Sequence, residues 1–344
     1  MELTFATLGD SVRPERVDAI QSRGFTERQA RFLVLVLAHS GVFVERQYRA
    51  FAHIAHGQKT HDFLERLVAC GFAKAITPGA VHRGRLYHVQ YKPLYQAIGD
   101  PDTRNRKPAE LGRFVERLML LDAVLDDGDC TWLGTPKDKR TYFTLRLHRP
   151  DGGLRVDDFP HLIFRHHDEE SIRYFPDKLP IGVSRRSGRH VFLYLVTRSR
   201  PDDFRLFLHR HRELLCRLTE WTIRLLVAPQ FRPAARLYAQ AIREEYLTPL
   251  TPYVVEELEW FFRARQGSRM PAPHPDLDLA TARRKYGSPR FHALRRSWEQ
   301  DGDAAIRASQ WCGLVDRLQI GQGRIEFVSM SRQYLQLSHL VGVA

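Results

Sequence analysis

The residues whose types and spacing come nearest to hydrolytic chemistry lie between Arg173 and Arg200, RYFPDKLPIGVSRRSGRHVFLYLVTRSR. A Pro-Asp pair precedes a short apolar run, a basic turn follows, and a second apolar strand ends in Tyr-Leu-Val-Thr. Metal-assisted phosphodiester hydrolysis needs at least two carboxylates close enough to share a Mg2+ ion, and a lysine to polarise the attacking water. Asp177 offers the first carboxylate. The second acid and the lysine should alternate along the following strand so that both point to one side of the sheet, yet Phe192 to Thr197 contains neither. Glu110, Glu116 and Lys178 are the remaining donors nearby, and one acid makes no metal site. Read without catalysis, Asp177 is a turn aspartate after a proline. We therefore expect no catalytic residue beyond Asp177 as a candidate, and no cofactor or metal.

Other polar clusters fare no better. HHDEE, His166 to Glu170, alternates faces or turns and cannot converge on one ion. His209, His211 and Cys216 lie on one helix, but the two histidines stand two positions apart and so on different faces, which speaks against a zinc site. Cys70, Cys130, Cys216 and Cys312 are widely spaced, with no Cys-x-x-Cys pair, and read as reduced, buried small hydrophobes. Arg185, Arg186 and Arg189 form a basic hairpin tip that suits phosphate or solvent equally.

The elements around Asp177 have a recognisable order. After the connector GDPDTRNRKPAE (Gly99 to Glu110), an apolar-periodic helix runs LGRFVERLMLLDAVLDD. The stretches DCTWLG, KRTYFTLRL, DFPHLIFR, Pro176 to Val183 and HVFLYLV read as strands. SRPDD then opens the amphipathic helix FRLFLHRHRELLCRLTEW, and TIRLLVAP is a further strand. This is the αβββαβ order of the PD-(D/E)-x-K nuclease core, with the scaffold kept and its second acid and lysine missing.

The first hundred residues predict a winged helix-turn-helix. TERQARFLVLVLAHSG, from Thr26, has the capping-box order and stops at Gly41. VERQYRAFAHI is a second short helix, and GQKTHDFLERLVACG a third, with Phe63, Leu64, Leu67 and Val68 at helical spacing. FAKAI and RLYHV are strands joined by TPGAVHRG. Such a fold sets the start of its third helix in the major groove. Here that start carries Gln58, Lys59, Thr60 and His61, with Arg66 further on, while His82, Arg83 and Arg85 stand at the hairpin for phosphate or minor-groove contact. From Gly41 to Lys92, eight Lys and Arg face three acids. Five histidines in this window lack a ligand rhythm and read as surface or phosphate contacts.

Composition agrees with a packed DNA-binding chain. There are 344 residues, room for two or three domains, and 53 Lys and Arg against 40 Asp and Glu give +13, which favours a polyanionic partner. No apolar run approaches a bilayer span and no signal-peptide core opens the chain, so the expectation is a cytoplasmic protein without membrane contact.

The pattern TERQARFLVLVLAHSGVFVERQ, the Phe63-Leu64-x-x-Leu67-x-x-Cys70-Gly71 element and the later FPD before an apolar strand resemble the replication-relaxation family of bacterial mobile elements. The resemblance covers roughly residues 20 to 230. It implies a winged helix joined to a nuclease-like domain, encoded on plasmids, integrative elements or phages. It carries DNA binding over to Gln58, Lys59, Thr60, His61, Arg66, Arg83 and Arg85. Relatives often bear acids where this chain has Tyr194, Leu195 and Val196, a departure that speaks against nuclease activity.

In the tail, FRPAARLYAQAIREEYLTPLTPYVVEELEWFFRARQG predicts two helices broken at Pro249 to Pro252, with Tyr253, Trp260 and Phe261 in a core. SRMPAPHPDLD is linker-like, RRKYGSPRFHALRRSWEQ is basic and aromatic, and RIEFVSMS is a last strand. The expected fold class is α+β: a winged helix over 1–98, a degenerate nuclease-like domain over 99–231, and a mainly helical region over 232–344 with a linker near 268–278. The expected function is non-catalytic binding of double-stranded DNA in transcription, replication or transfer, with a second copy or a protein of the same element as further partners. Three alternatives stay open: a metal-dependent endonuclease with a relocated acid, a plasmid-type replication initiator, and a scaffold whose winged helix contacts protein.

Overall fold

The computed structural model describes residues 10–55, 57–77, 85–146, 156–166, 169–266, 272, 274–310 and 313–330. Its fold is α+β. The first helices are α1 (Pro14–Gln21) and α2 (Glu27–His39). At the start of α2 the Thr26 hydroxyl accepts from the Gln29 amide and the Gln29 side chain accepts from the Thr26 amide, the reciprocal cap that the sequence implies. Gly41, with φ of 73°, ends it by donating its amide to Val36 O. There follow β1 (Val42–Val44), α3 (Glu45–Ala52), α4 (Gln58–Ala69), β2 (Ala73–Ile76), β3 (Leu86–Val89) and α5 (Lys92–Ala97). The strands form an antiparallel sheet in the order β1-β3-β2. Phe32, Phe43, Tyr48 and Phe63 hold the helices on it, with ring centroids 5.1 Å apart for Phe32 and Phe43 and 4.3 Å for Tyr48 and Phe63. Such pairs contribute about 0.5–1.5 kcal/mol each beyond area burial.

The second sheet gathers strands from far along the chain. α6 (Leu111–Asp126) leads to β4 (Cys130–Leu133), α7 (Pro136–Arg146), β5 (His161–His166), β6 (Glu169–Tyr174), β7 (Ile181–Ser184), β8 (His190–Val196), α8 (Asp202–Arg217) and β9 (Trp221–Val227). Helices α9 (Ala235–Tyr246), α10 (Pro252–Gln266), α11 (Leu279–Lys285), α12 (Pro289–Asp301), α13 (Asp303–Ala308) and α14 (Gly313–Gln319) precede β10 (Gly323–Ser329). The order is β10-β9-β8-β7-β4, antiparallel from β4 through β7 to β8 and parallel from β8 through β9 to β10. β8 is central, and both of its faces are filled. Phe192, Tyr194 and Val196 join the core under α8 and α9, while Val191, Leu193 and Leu195 join the core under α6.

Four expectations need correction. The described part of KRTYFTLRL, residues 139–146, is the body of α7, not a strand. Thr135 and Asp138 exchange amide-to-side-chain hydrogen bonds at 3.2 and 2.9 Å, and Pro136 takes the first helical position, so the helix start outweighs the β-prone residues after it. DFPHLIFR forms β5, but β5 pairs with β6 alone in a separate two-stranded sheet. Arg324 to Ser329 of RIEFVSMS lie in β10, an edge strand of the middle sheet, so the tail is joined to the middle region at that strand. Tyr253 is 50% exposed and outside the tail's core, to which Phe261 belongs and against which Trp260 packs. Of the linker near 268–278, only residues 272 and 274–278 are described, and Leu277 among them is buried.

The amino-terminal unit is bolted to the second sheet. The Ser11 amide and hydroxyl both donate to Trp132 O, at 2.9 and 2.7 Å. Arg46 forks onto Asp122 of α6 at 2.9 and 2.8 Å, and Gln47 donates to the same carboxylate. The tail is fixed to α8 by a buried polar knot: Arg205 reaches Glu245 at 2.6 Å and Glu244 at 2.5 Å, and the His209 ring spans Ser297 and Glu245, each at 2.8 Å. Burial pushes the Glu245 carboxyl up, but His209 and Arg205 outweigh it and bring it to about 2.

Candidate nucleic-acid interface

α4 buries Thr60, Phe63, Leu64 and Leu67 and exposes the rest of its circumference, including Gln58, Lys59, His61 and Val68. A helix with so much surface uncovered is free to enter a groove. Lys59 has no carboxylate partner among the described residues, whereas Gln58 donates to Asp62 at 2.5 Å and His61 meets Glu65 at 2.9 Å. Arg85 is exposed at the foot of β3, beside the buried phenol of Tyr87, whose ionisation burial pushes upward. His82 and Arg83 lie outside the described residues.

Two of the residues expected to touch DNA are turned to other work. Thr60 is 1% exposed, so its side chain belongs to the helix's inner face and offers nothing to a base edge. Its position, three before Phe63 and four before Leu64, marks it as one of the inward positions of a helix of 3.6 residues per turn. Arg66 folds back, donating to Gly24 O and lying over the Phe25 ring at 5.4 Å. Its guanidinium caps the α1–α2 connection.

Asp177 sits in a turn bracketed by two left-handed residues, Phe175 with φ of 47° and Lys178 with φ of 53°. Neither is glycine, so each costs roughly 1–3 kcal/mol that the surrounding contacts must offset. The Phe175 amide donates to Pro160 O at 2.6 Å, and Lys178 Nζ donates to Thr103 Oγ1 at 2.7 Å. Asp177 Oδ1 accepts from Arg210 at 2.8 Å, while its Oδ2 is buried without a hydrogen-bond partner. Around it the fold collects Lys139, Lys178 and His211, residues from three separate elements. Lys139 Nζ donates to Leu179 O at 2.7 Å. Burial, then Lys178, lower its ammonium to about 7 against the opposing pull of Asp177, Asp138 and Asp100. Burial also lowers the His211 ring, to about 4. Sequence reasoning missed Lys139 and His211 here, because Lys139 lay in a segment read as a strand and His211 was weighed only with His209 and Cys216 of its own helix.

The chemistry open to this cluster is limited by space. The enclosed volume is about 10 Å³, room for about one water-sized sphere and far too little for a phosphodiester. Among the described residues no three His, Cys, Asp or Glu side chains are grouped to hold a metal ion. Asp177 is neutralised by Arg210, and the strand that would carry the acid-x-lysine pair has apolar side chains on both faces. Cys130 and Cys216 are buried, with thiols pushed up to about 12 chiefly by burial, while Cys70 is exposed, contrary to its expected burial. No helix among the described residues is long and apolar enough to cross a membrane.

No protein-family model, no curated protein and no solved structure matches the chain.

Proposed function

We propose that this chain is a DNA-binding protein whose residues 14–98 act as a winged helix, with α4 as the recognition helix. The observation that carries the reading is α4 itself. It follows α2, β1 and α3, precedes the β2–β3 hairpin of a β1-β3-β2 sheet, and leaves Gln58, Lys59 and His61 in solvent. Arg85 extends the basic face along the hairpin. Helix α6, the antiparallel run β4-β7-β8, helix α8 and the parallel strand β9, with α7 and the separate β5-β6 sheet inserted between β4 and β7, support a PD-(D/E)-x-K-like core for the middle region. The filled faces of β8 and the Asp177–Arg210 pair favour a core without cleavage activity. On this reading, and on the resemblance to the replication-relaxation family, the protein serves a mobile element in transcription, replication or transfer.

The test is a salt titration of binding to duplex DNA from the protein's own genetic neighbourhood against random duplex, with and without Mg2+, on a gel that also displays cleavage. Sequence-selective binding with intact DNA is the expected result. Binding that is weak and indifferent to sequence would overturn the recognition-helix assignment. A second reading, metal-dependent cleavage, draws on the placement of Lys139 beside Asp177. It requires Mg2+-dependent fragments that vanish in Asp177→Ala.

A further inference from the structure

A groove of about 480 Å³ opens where the connector after α5, the start of α7 and strand β6 meet. Six cations line it, Arg104, Lys107, Lys137, Arg140, Arg173 and Lys178, against two carboxylates, Asp100 and Asp102. Both carboxylates are occupied. Lys178 approaches Asp100 at 3.6 Å, and Lys92, from α5, approaches Asp102 at 3.9 Å. The other five cations have no carboxylate within ion-pair reach among the described residues, and Arg104, Lys107, Lys137 and Arg140 are exposed. Elsewhere the chain pairs its partly buried arginines closely, as with Arg46 and Asp122, Arg205 and Glu245, or Arg224 and Asp127. The groove thus gathers six cations around two carboxylates that are already paired.

The wall that carries these charges is cross-linked by side-chain contacts. Arg117 donates to the carbonyls of Arg104 and Asn105 while lying over Phe114, Lys178 ties the Asp177 turn to Thr103, and Arg140 lies over the Tyr174 ring at 5.4 Å. Tyr174, Ile172 and Pro136 give the groove apolar surface between the charges. The α7 N-terminus takes no part, since Thr135 and Asp138 already cap it.

Like charges held together without counterions repel, and a bound polyanion relieves that repulsion while releasing its own condensed cations. We propose that this groove is a second nucleic-acid site, separate from α4, which takes the phosphodiester backbone without reading sequence. Cations spread over three elements suit successive phosphates of a polymer, and the apolar strip between them suits sugar faces. The choice of nucleic acid among polyanions rests on the DNA-binding reading above.

The test uses the full chain, comparing wild type, a groove variant (Lys137→Ala, Arg140→Ala, Arg173→Ala), a connector variant (Arg104→Ala, Lys107→Ala) and Lys59→Ala. Affinity for a random duplex is measured across salt of about 50 to 200 mM, with pyrophosphate binding measured alongside and thermal unfolding confirming intact folds. Three lost phosphate contacts should flatten the salt slope by about 2–3, and two by about 2, with sequence discrimination retained. An unchanged slope in both variants, with wild type binding DNA, would sink the groove and leave the α4 reading standing. A flattened slope together with a silent Lys59→Ala would sink α4 and leave the groove. Loss of pyrophosphate binding alone would overturn the polymer assignment in favour of a small phosphate ligand, and no duplex binding by wild type would overturn both sites.

Discussion

Arg16 Nη2 donates to Asp138 Oδ2 at 2.6 Å, and the two side chains are only 8% and 6% exposed. The pair ties the first helix of the amino-terminal unit to the cap of α7, and Arg13 adds to it on the same carboxylate. Asp138→Ala would strand the Arg16 charge in the interior and remove the cap together. We expect a loss of about 3–5 kcal/mol, read as a fall in the denaturant midpoint. An unchanged midpoint would mean that the two units are held by other contacts.

Lys59 and Thr60 are adjacent in sequence and should behave oppositely. Lys59→Ala removes an exposed cation at the start of α4 and should relax base discrimination by about 1–3 kcal/mol, measured as the ratio of specific to random affinity. Thr60 Oγ1 is buried with no hydrogen-bond partner, so Thr60→Val removes an unsatisfied group at nearly constant shape. DNA affinity should not change, and stability should hold or rise by up to about 1 kcal/mol.

Stability should depend on pH in two windows. His39 and His211 are held neutral by burial, at about 3 and about 4, so the unfolded chain binds more protons below its ordinary histidine value of 6.5. The histidines' contribution is full above 6.5 and is lost as pH drops toward 4 and then 3. Lys139, at about 7 folded and 10.5 unfolded, acts at higher pH. Its neutral folded form makes stability rise from pH 7 toward 10.5, and Lys139→Met should remove that rise. Equal slopes for wild type and variant in urea titrations at each pH would contradict the burial of a lysine charge.

Gly323 of β10 lies over the ring of Trp221, where an added Cβ would come within 2.5 Å of it. Trp221 is fully buried and cannot move aside. Gly323→Ala should cost about 1–3 kcal/mol by overpacking, seen as a lower melting temperature, if β10 docks on β9 as described.

Thiol titration should separate the described cysteines. Cys70 is exposed and should react with a maleimide in the native protein, while Cys130 and Cys216 should react only on unfolding. Native labelling of either buried thiol, located by peptide mapping, would argue against the packing around β4 or α8.

What was legible in the sequence was local. The cap at Thr26, the all-apolar run of β8 and the periodicity of α8 each carry their own signal within a few residues. β1 is three residues long, too short for a period to show, and is specified by its pairing with β3. α7 was misread because Thr, Tyr and Phe raise β propensity, although Thr135-Pro136 and Asp138 mark a helix start. The pocket around Asp177 and the groove beside it draw on residues from several elements brought together only by the sheet, so no window of sequence contains either.

β9 and β10 are parallel neighbours in one sheet, in register from Trp221 with Gly323 to Val227 with Ser329. Everything between them, residues 228–322, is thus a single crossover connection grown to the size of a domain. Its two ends are pinned to the same pair of strands, and α9 within it closes the core over β8, so the crossover and the sheet it spans share one interior.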